Sequence, residues 1–268
     1  MKYYLSLCAI IKNERYLEEF IIYYHILGVE HFYIYDNEST PSIKERLNKP
    51  FFNNLCTIIN FPGRNKQMEA YNNFINKYGN ETEWIIVCDG DEYIVPKVDW
   101  SLRDFLDKYN DVQAIGINWV FYGSSYHNNI QDGYLIDKYR YCEGKQNEHI
   151  KIICKPKFVK SWSNPHFSNL KNPNLFVDAK RNIINGPFNH NYTIDLIQIN
   201  HYHYRSIDDI IEKYNRGNAD SDKRIHIEND LNLRENSSHH NIHNNVIDNF
   251  ICDKYLNHVI EIYNKIYN

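Results

Sequence analysis

Two carboxylates two residues apart, in Asp89-Gly90-Asp91, with Glu92 directly behind them, close the apolar run Trp84-Ile85-Ile86-Val87-Cys88. The run is β-branched in its middle and reads as a strand buried on both faces, the habit of a central strand in a parallel sheet. In an open α/β sheet the ligand crevice lies beyond the carboxyl ends of the strands, so these acids stand where chemistry is expected. In extended chain their spacing turns both carboxylates to one side, with no side chain on Gly90 between them. Two hard oxygen donors on one side suit Mg²⁺ or Mn²⁺, whose remaining positions go to phosphate oxygens and water.

Other readings compete for the same residues. A polar turn that merely ends a strand leaves the packing of three acids into four positions unexplained. A calcium loop counted from Asp89 would need Gly at Ile94 and Glu at Trp100, which excludes it. An aspartate phosphatase, with strand and Asp-x-Asp supplying nucleophile and general acid, is the sharper rival. It would place that strand near the start of the domain, and here three predicted strands precede it.

Local periodicity predicts the strands and helices around these acids. Tyr4 to Ile11 reads as an opening strand, and Tyr16 to Leu27 carries apolar residues at helical spacing with Gly28 as its C-cap. His31 to Tyr35 is a second strand ending in Asp36, Thr57 to Phe61 a third, and Gln67 to Tyr78 a helix leading into the Asp-x-Asp strand. Ser101 to Tyr109 predicts a helix, Ala114 to Phe121 a strand, and Ile150 to Lys155 and Ile194 to Tyr204 late strands. Ser206 opens a helix to Tyr214, Arg234 to Asn245 is a polar loop, and Val246 to Tyr267 forms a closing amphipathic helix. The rhythm is that of an α/β doubly wound, mostly parallel sheet flanked by helices, with an irregular α+β carboxyl-terminal part. We read residues 1–268 as a single domain, regular over 1–122 and irregular over 123–268.

The formal charge of −4 gives no electrostatic case for nucleic acid or an anionic membrane. The six cysteines show no Cys-x-x-Cys pair and several lie inside apolar runs, which reads as free thiols of a reducing compartment. No apolar segment reaches the ~18 residues of a membrane span, and the amino terminus carries no leader pattern. The expectation is a cytoplasmic protein, with peripheral membrane contact left open.

Three strands end in side chains able to grip a nucleotide: Lys12-Asn13-Glu14, then Asp36 with Ser39, then Asp89-Gly90-Asp91. At this point the sequence resembles the family 92-like glycosyltransferases, relatives of family 2 with the GT-A fold. The matching marks include Leu27-Gly28-Val29, Tyr35-Asp36-Asn37-Glu38-Ser39, Gln67 with Tyr71, and Asp89-Gly90-Asp91-Glu92-Tyr93. They continue through Trp119, Tyr122-Gly123-Ser124-Ser125, His166, Asn200-His201-Tyr202, Ser206 and Lys213-Tyr214-Asn215-Arg216-Gly217, in order across most of the chain.

The resemblance implies a metal-dependent transfer of a sugar from a nucleotide-sugar donor, most often a uridine diphosphate (UDP) sugar, to an acceptor hydroxyl with inversion. It leaves glycan, lipid-linked sugar and protein open as acceptors, and makes 1–122 the nucleotide-sugar-binding half and 123–268 the acceptor-side half. Asp91 would bind Mn²⁺ or Mg²⁺, and Asp89 the ion or the ribose. Asp36 would accept from the uracil N–H, with Lys12, Glu14, Ser39 and Gln67 nearby and Arg64 and Lys66 as cations able to approach phosphate. A histidine completes such metal sites; His201 is preferred, then His166, with His203 also in contention. The trio His239, His240 and His243 reads as a polar loop rather than a zinc site. A carboxylate must take the acceptor's proton. The candidates are Asp132, Asp137, Glu143 and Glu148, of which Asp137, between Ile136 and Lys138, is preferred. Trp119, Tyr122 and Ser125 would face the acceptor. A nucleotide-sugar-binding module without catalysis is the other alternative.

Overall fold

The computed structural model describes residues 1–216 and 241–268. Its centre is a nine-stranded sheet, ordered β3-β2-β1-β4-β8-β6-β12-β5 with β11 beside β6. The first strands are β1 (Tyr3–Ile11), β2 (His31–Asp36), β3 (Cys56–Asn60) and β4 (Thr82–Val87), all mutually parallel. Next come β5 (Glu92–Pro96), β6 (Ala114–Phe121), the two-residue β7 (Tyr141–Cys142) and β8 (Ile150–Cys154). The hairpin β9 (Val159–Trp162) and β10 (Ser168–Leu170), then β11 (Phe176–Asp178) and β12 (Ile197–His201), complete the main set. The sheet is mostly parallel, as the alternating pattern predicts. The exceptions are β8, antiparallel between β4 and β6, and β5, antiparallel at the edge on β12.

Both faces of the sheet are covered, and strand periodicity decides which residue goes where. Along β1, Leu5, Leu7, Ala9 and Ile11 enter one core, while Cys8 and Ile10 enter the other. Along β4, Trp84 and Ile86 join the first and Ile85 and Val87 the second. The first core is closed by α1 (Leu17–Ile26) through Leu17, Phe20, Ile21 and Tyr24, and by the carboxyl-terminal helix through Ile251, Tyr255 and Val259. The second is closed by α4 (Gln67–Tyr78) through Ala70, Tyr71 and Phe74, with Val159, Trp162 and Leu170 of the hairpin.

Helix ends sit where local chemistry stops or starts them. Gly28, φ +98°, ends α1 in the left-handed region. Two short helices, α2 (Ile43–Arg46) and α3 (Pro50–Leu55), fill the β2–β3 connection, and a Ser42–Glu45 capping box starts α2. Ser101 caps α5 (Leu102–Leu106). Residues 135–138 of the irregular part form the single turn α6 (Leu135–Lys138), and α7 (Ile207–Arg216) begins where Ser206 Oγ accepts from Asp209 N–H.

The closing helix, α8 (Phe250–Tyr267), starts later than its apolar period predicts. Val246 and Ile247 instead form β13, paired with β7, and Asp248 accepts from Phe250 N–H to begin the helix. All six cysteines are unpaired. Among the described residues no helix is long and apolar enough to cross a membrane.

Candidate functional site

Sheet register builds the site. His201, the last residue of β12, pairs opposite Glu92 of β5, and Tyr202 N–H donates to Asp91 C=O at 2.9 Å. Asp91 and His201 are therefore neighbours, with His201 Nε2 3.7 Å from Asp91 Oδ1. His203 follows two residues on, its ring 5.1 Å from that of His201. One ligand atom from each of Asp91, His201 and His203 falls within 4.8 Å of the others.

The electrostatics suit a cation. Burial pushes His201 well below its ordinary range and His203 down to about 3, so both imidazoles are neutral with lone pairs to give. Burial alone would raise Asp91, but the charge of Lys213 outweighs it and holds the carboxyl well below its usual range. His201 Nδ1 is buried and meets no protein partner. A carboxylate and two neutral imidazoles fit a divalent ion, and two nitrogen donors favour a transition ion such as Mn²⁺ over Mg²⁺.

One cavity adjoins this cluster and a second lies beyond it. A small one is lined by Arg15, Asp91, His203, Arg205 and Lys213. A larger one, about 360 Å³, opens where β1 and β2 end, among Asn13, Glu14, Ser39, Thr40, Ile43 and Arg46. Asn13, Arg15 and Glu212 line both.

The walls of the larger cavity are stitched by hydrogen bonds. Asn13 N–H donates to Ser39 Oγ at 3.1 Å, and Thr40 N–H to Asn13 Oδ1 at 2.7 Å. Asp36 accepts from Ser39 N–H and Ile43 N–H, both at 2.9 Å, so its two oxygens organise the loop after β2.

The Asp-x-Asp loop is a turn, not extended chain: Asp89 N–H donates to Glu92 Oε2 at 2.8 Å, and Glu92 N–H to Asp89 C=O at 3.1 Å. Its two acids consequently go to different partners. Asp89 accepts from Gln67 Nε2 at 2.8 Å and from Lys151 Nζ at 2.7 Å, and stands outside the three-donor cluster. A Cβ on Gly90 would lie 2.9 Å from Ile11 Cδ1 and 3.1 Å from Glu14 Cγ, so glycine lets this loop lie against the end of β1.

The other expected residues are placed as follows. His166 Nδ1–H donates to Ile150 C=O at 2.9 Å and lies outside the cluster, burial holding it near 4. Lys12 pairs with Glu38 and Lys66 with Glu69, while Arg64 is exposed. Asp137, on α6, is raised by burial but held below its ordinary range by Arg140 and Lys138, and lines neither cavity. Asp132 is exposed, and Glu148 lies 3.5 Å from His190.

Glu143 lies 3.0 Å from His243, whose ring stacks on Phe121, which in turn stacks on His201. Trp119 is buried against His201, ring centroids 4.3 Å apart. Tyr122 is in the core, donating to Asp248 at 2.8 Å, and Ser125 Oγ accepts from the N–H groups of Arg140 and Tyr141. His239 and His240 lie outside the described residues.

Sequence reasoning singled out neither Lys151 nor Arg205 nor Arg15, and met Lys213 only as part of a longer mark. Lys151 carried a signal: a lone charge inside Ile150-Lys151-Ile152-Ile153-Cys154, a strand buried at every position. The joint use of His201 and His203 was readable as two like residues at the two-residue spacing of a strand end.

Comparison with known proteins gives the family. A sequence model of glycosyltransferase family 92 matches residues 3–247. A glycosyltransferase family 92 protein of Oryza sativa subsp. japonica is 29% identical over 114 residues, a match covering 42% of this chain and 20% of the rice protein. The chain thus matches about a fifth of that relative's length.

Among solved structures, 4-diphosphocytidyl-2C-methyl-D-erythritol synthase of Anaerococcus prevotii aligns with a TM-score of 0.33 at 10% identity, over 58% of this chain and 71% of that one. A structure described as a glucose-1-phosphate thymidylyltransferase of Bacillus anthracis, in complex with a sucrose, aligns with a TM-score of 0.33 at 14% identity, over 59% and 67%. Structural likeness at that level carries no weight here. The family match spans nearly the whole chain, and the chain belongs to glycosyltransferase family 92.

Proposed function

We propose that the protein transfers a sugar from a nucleoside diphosphate sugar, first among them a UDP sugar, to an acceptor hydroxyl, using a divalent ion held by Asp91, His201 and His203. The observation that carries this reading is the convergence of those three donors beside a cavity lined by Arg15, Arg205 and Lys213. Family membership supports it. When bound, the ion supplies Lewis-acid neutralisation of the diphosphate charge as the glycosidic bond breaks.

The chain's own groups divide the remaining work. The nucleoside occupies the larger cavity between the ends of β1 and β2, against Asn13 and Ser39, with Asp36 holding that loop in shape. Asp89, fixed by Gln67 and Lys151 yet 37% exposed, presents its remaining lone pairs to the ribose hydroxyls. Arg15 and Lys213 face the phosphates, and Trp119 walls the sugar side next to His201.

Inversion needs one base for the acceptor's proton. Asp137 and Glu143 are the alternatives: Asp137 sits where the family resemblance puts an acid, and Glu143 is linked through His243 and Phe121 to His201. The acceptor class, a glycan, a lipid-linked sugar or a protein, stays with the assay.

The test is release of nucleoside diphosphate from a panel of nucleotide sugars with Mn²⁺ and with chelator. Turnover of a UDP sugar that falls on the order of a hundredfold or more in Asp91→Asn supports the proposal. Tight UDP binding with no release from any sugar, across a broad acceptor panel, would instead indicate a binding module. Turnover of an aryl phosphate would favour the phosphatase reading.

A further inference from the structure

The ammonium of Lys213 contacts two of the three residues of the Asp91–His201–His203 cluster. Its Nζ is 3.0 Å from Asp91 Oδ2 and 3.2 Å from His203 Nδ1. An ammonium has only protons to give, so His203 Nδ1 is the acceptor. Lys213 thus takes up a carboxylate oxygen and an imidazole lone pair belonging to two of the three residues that would hold an ion. A divalent ion and an ammonium in contact with the same two side chains repel each other strongly, above all in a site this buried.

We propose that Lys213 and the divalent ion exchange at Asp91. Without donor, Lys213 neutralises the carboxylate and blocks His203. When a nucleoside diphosphate enters, the ammonium swings to a phosphate oxygen and leaves both groups to the ion. The inference rests on the metal-dependent donor site proposed above and adds a coupling device to it.

Three features of the structure favour Lys213 as the moving part. It lines the small cavity together with Asp91 and His203, on the side that faces the larger cavity through the shared residues Asn13, Arg15 and Glu212. The neighbouring guanidinium of Arg205 is already engaged with Glu14 at 2.8 Å in a buried pair. Its side chain is 27% exposed and carries four rotatable carbons, which lets the charge move while α7 stays in place. The consequence is positive coupling, and linkage makes it reciprocal: nucleotide must tighten the ion as much as the ion tightens nucleotide.

The experiment titrates Mn²⁺ against the full chain and reads free Mn²⁺ by electron paramagnetic resonance, with and without UDP. It compares wild type, Lys213→Met, Lys213→Gln and Asp91→Asn, each first checked for a cooperative melt; the glutamine variant carries the test if the methionine one does not fold. Wild type is expected to bind Mn²⁺ weakly alone and about tenfold or more tightly with UDP. The Lys213 variants should bind Mn²⁺ about tenfold more tightly without UDP and lose most of the UDP-dependent gain, while Asp91→Asn should bind none.

Lys213 variants that bind Mn²⁺ no better than wild type overturn the exchange while leaving the donor site standing, provided UDP still promotes binding in wild type. Tighter Mn²⁺ in the variants with no UDP effect in wild type overturns the transfer of Lys213 to phosphate. No Mn²⁺ bound by any folded form, with or without UDP, brings down the donor-site reading and the exchange with it.

Discussion

Arg205 Nη1 lies 2.8 Å from Glu14 Oε1, an ion pair whose side chains are only 9% and 5% exposed. It joins the loop after β1, which also lines the larger cavity, to the segment leading into α7. Glu14 accepts in addition from Tyr16 N–H at 3.1 Å, and the guanidinium lies over the Tyr16 ring. Burial works against the charge on Arg205, and Glu14 more than compensates, raising the guanidinium above its ordinary range. The pair therefore ties the wall of the larger cavity to the segment that follows His201 and His203.

Glu14→Gln should leave the Arg205 charge buried without its main counter-charge, at a cost of about 3–5 kcal/mol. For a chain of this size that lowers the melting temperature on the order of 10 °C. The double variant Glu14→Met/Arg205→Met should recover much of the loss, because a matched apolar pair leaves no orphan charge. Thermal melts followed by circular dichroism check both, and a single variant that melts with wild type would show the pair to be dispensable.

Lys151 is the only cation that contacts the buried Glu92 among the described residues, at 3.5 Å, and it holds Asp89 at 2.7 Å. Burial raises Glu92 well above its ordinary range, and Lys151 works against that rise. Lys151→Met should cost about 3–5 kcal/mol of stability. In the folded fraction it should also weaken nucleotide binding by releasing Asp89. Calorimetric titration with UDP at low temperature reads the second effect; unchanged affinity would remove Asp89 from the donor site.

His31 stacks on Tyr3 with centroids 4.6 Å apart, bonds to Thr57 Oγ1 at 2.8 Å, and has a buried Nδ1 without a partner. Burial, helped by Lys2, lowers it from 6.5 to about 4. Between those values the unfolded chain holds more protons than the folded one. Stability is therefore full above pH 6.5 and falls toward pH 4, by about 1.4 kcal/mol per pH unit for this group. His166, also lowered to about 4, adds to the same slope. His31→Gln should flatten the acid side of a melting-temperature profile, and a profile parallel to wild type would contradict this.

Much of the scaffold is readable in the sequence because its signals are local. The strands β1, β2, β4 and β6 and the helices α1 and α4 follow from apolar periods, and Ser101 and Ser206 mark helix starts by their own hydroxyls. What is not local is not readable. The antiparallel insertion of β8 between β4 and β6 is a choice of partners, and β5 hides behind the acids because Glu92 and Tyr93 look like the tail of a turn.

The site shows the same division. Asp91 and His201 stand out by type and position, but which acid of Asp-x-Asp meets the histidines depends on the turn that Glu92 fixes. Lys213 reaches Asp91 across 122 residues, which no spacing rule encodes.

In the proposed function Asp91, His201 and His203 hold an ion that binds a nucleoside diphosphate. The most direct test is isothermal titration of UDP into the purified protein with Mn²⁺, with chelator, and with Asp91→Asn in Mn²⁺. The structure predicts heat of binding in the first case and its loss in the other two. Equal binding with chelator, or full binding by a folded Asp91→Asn, would contradict it.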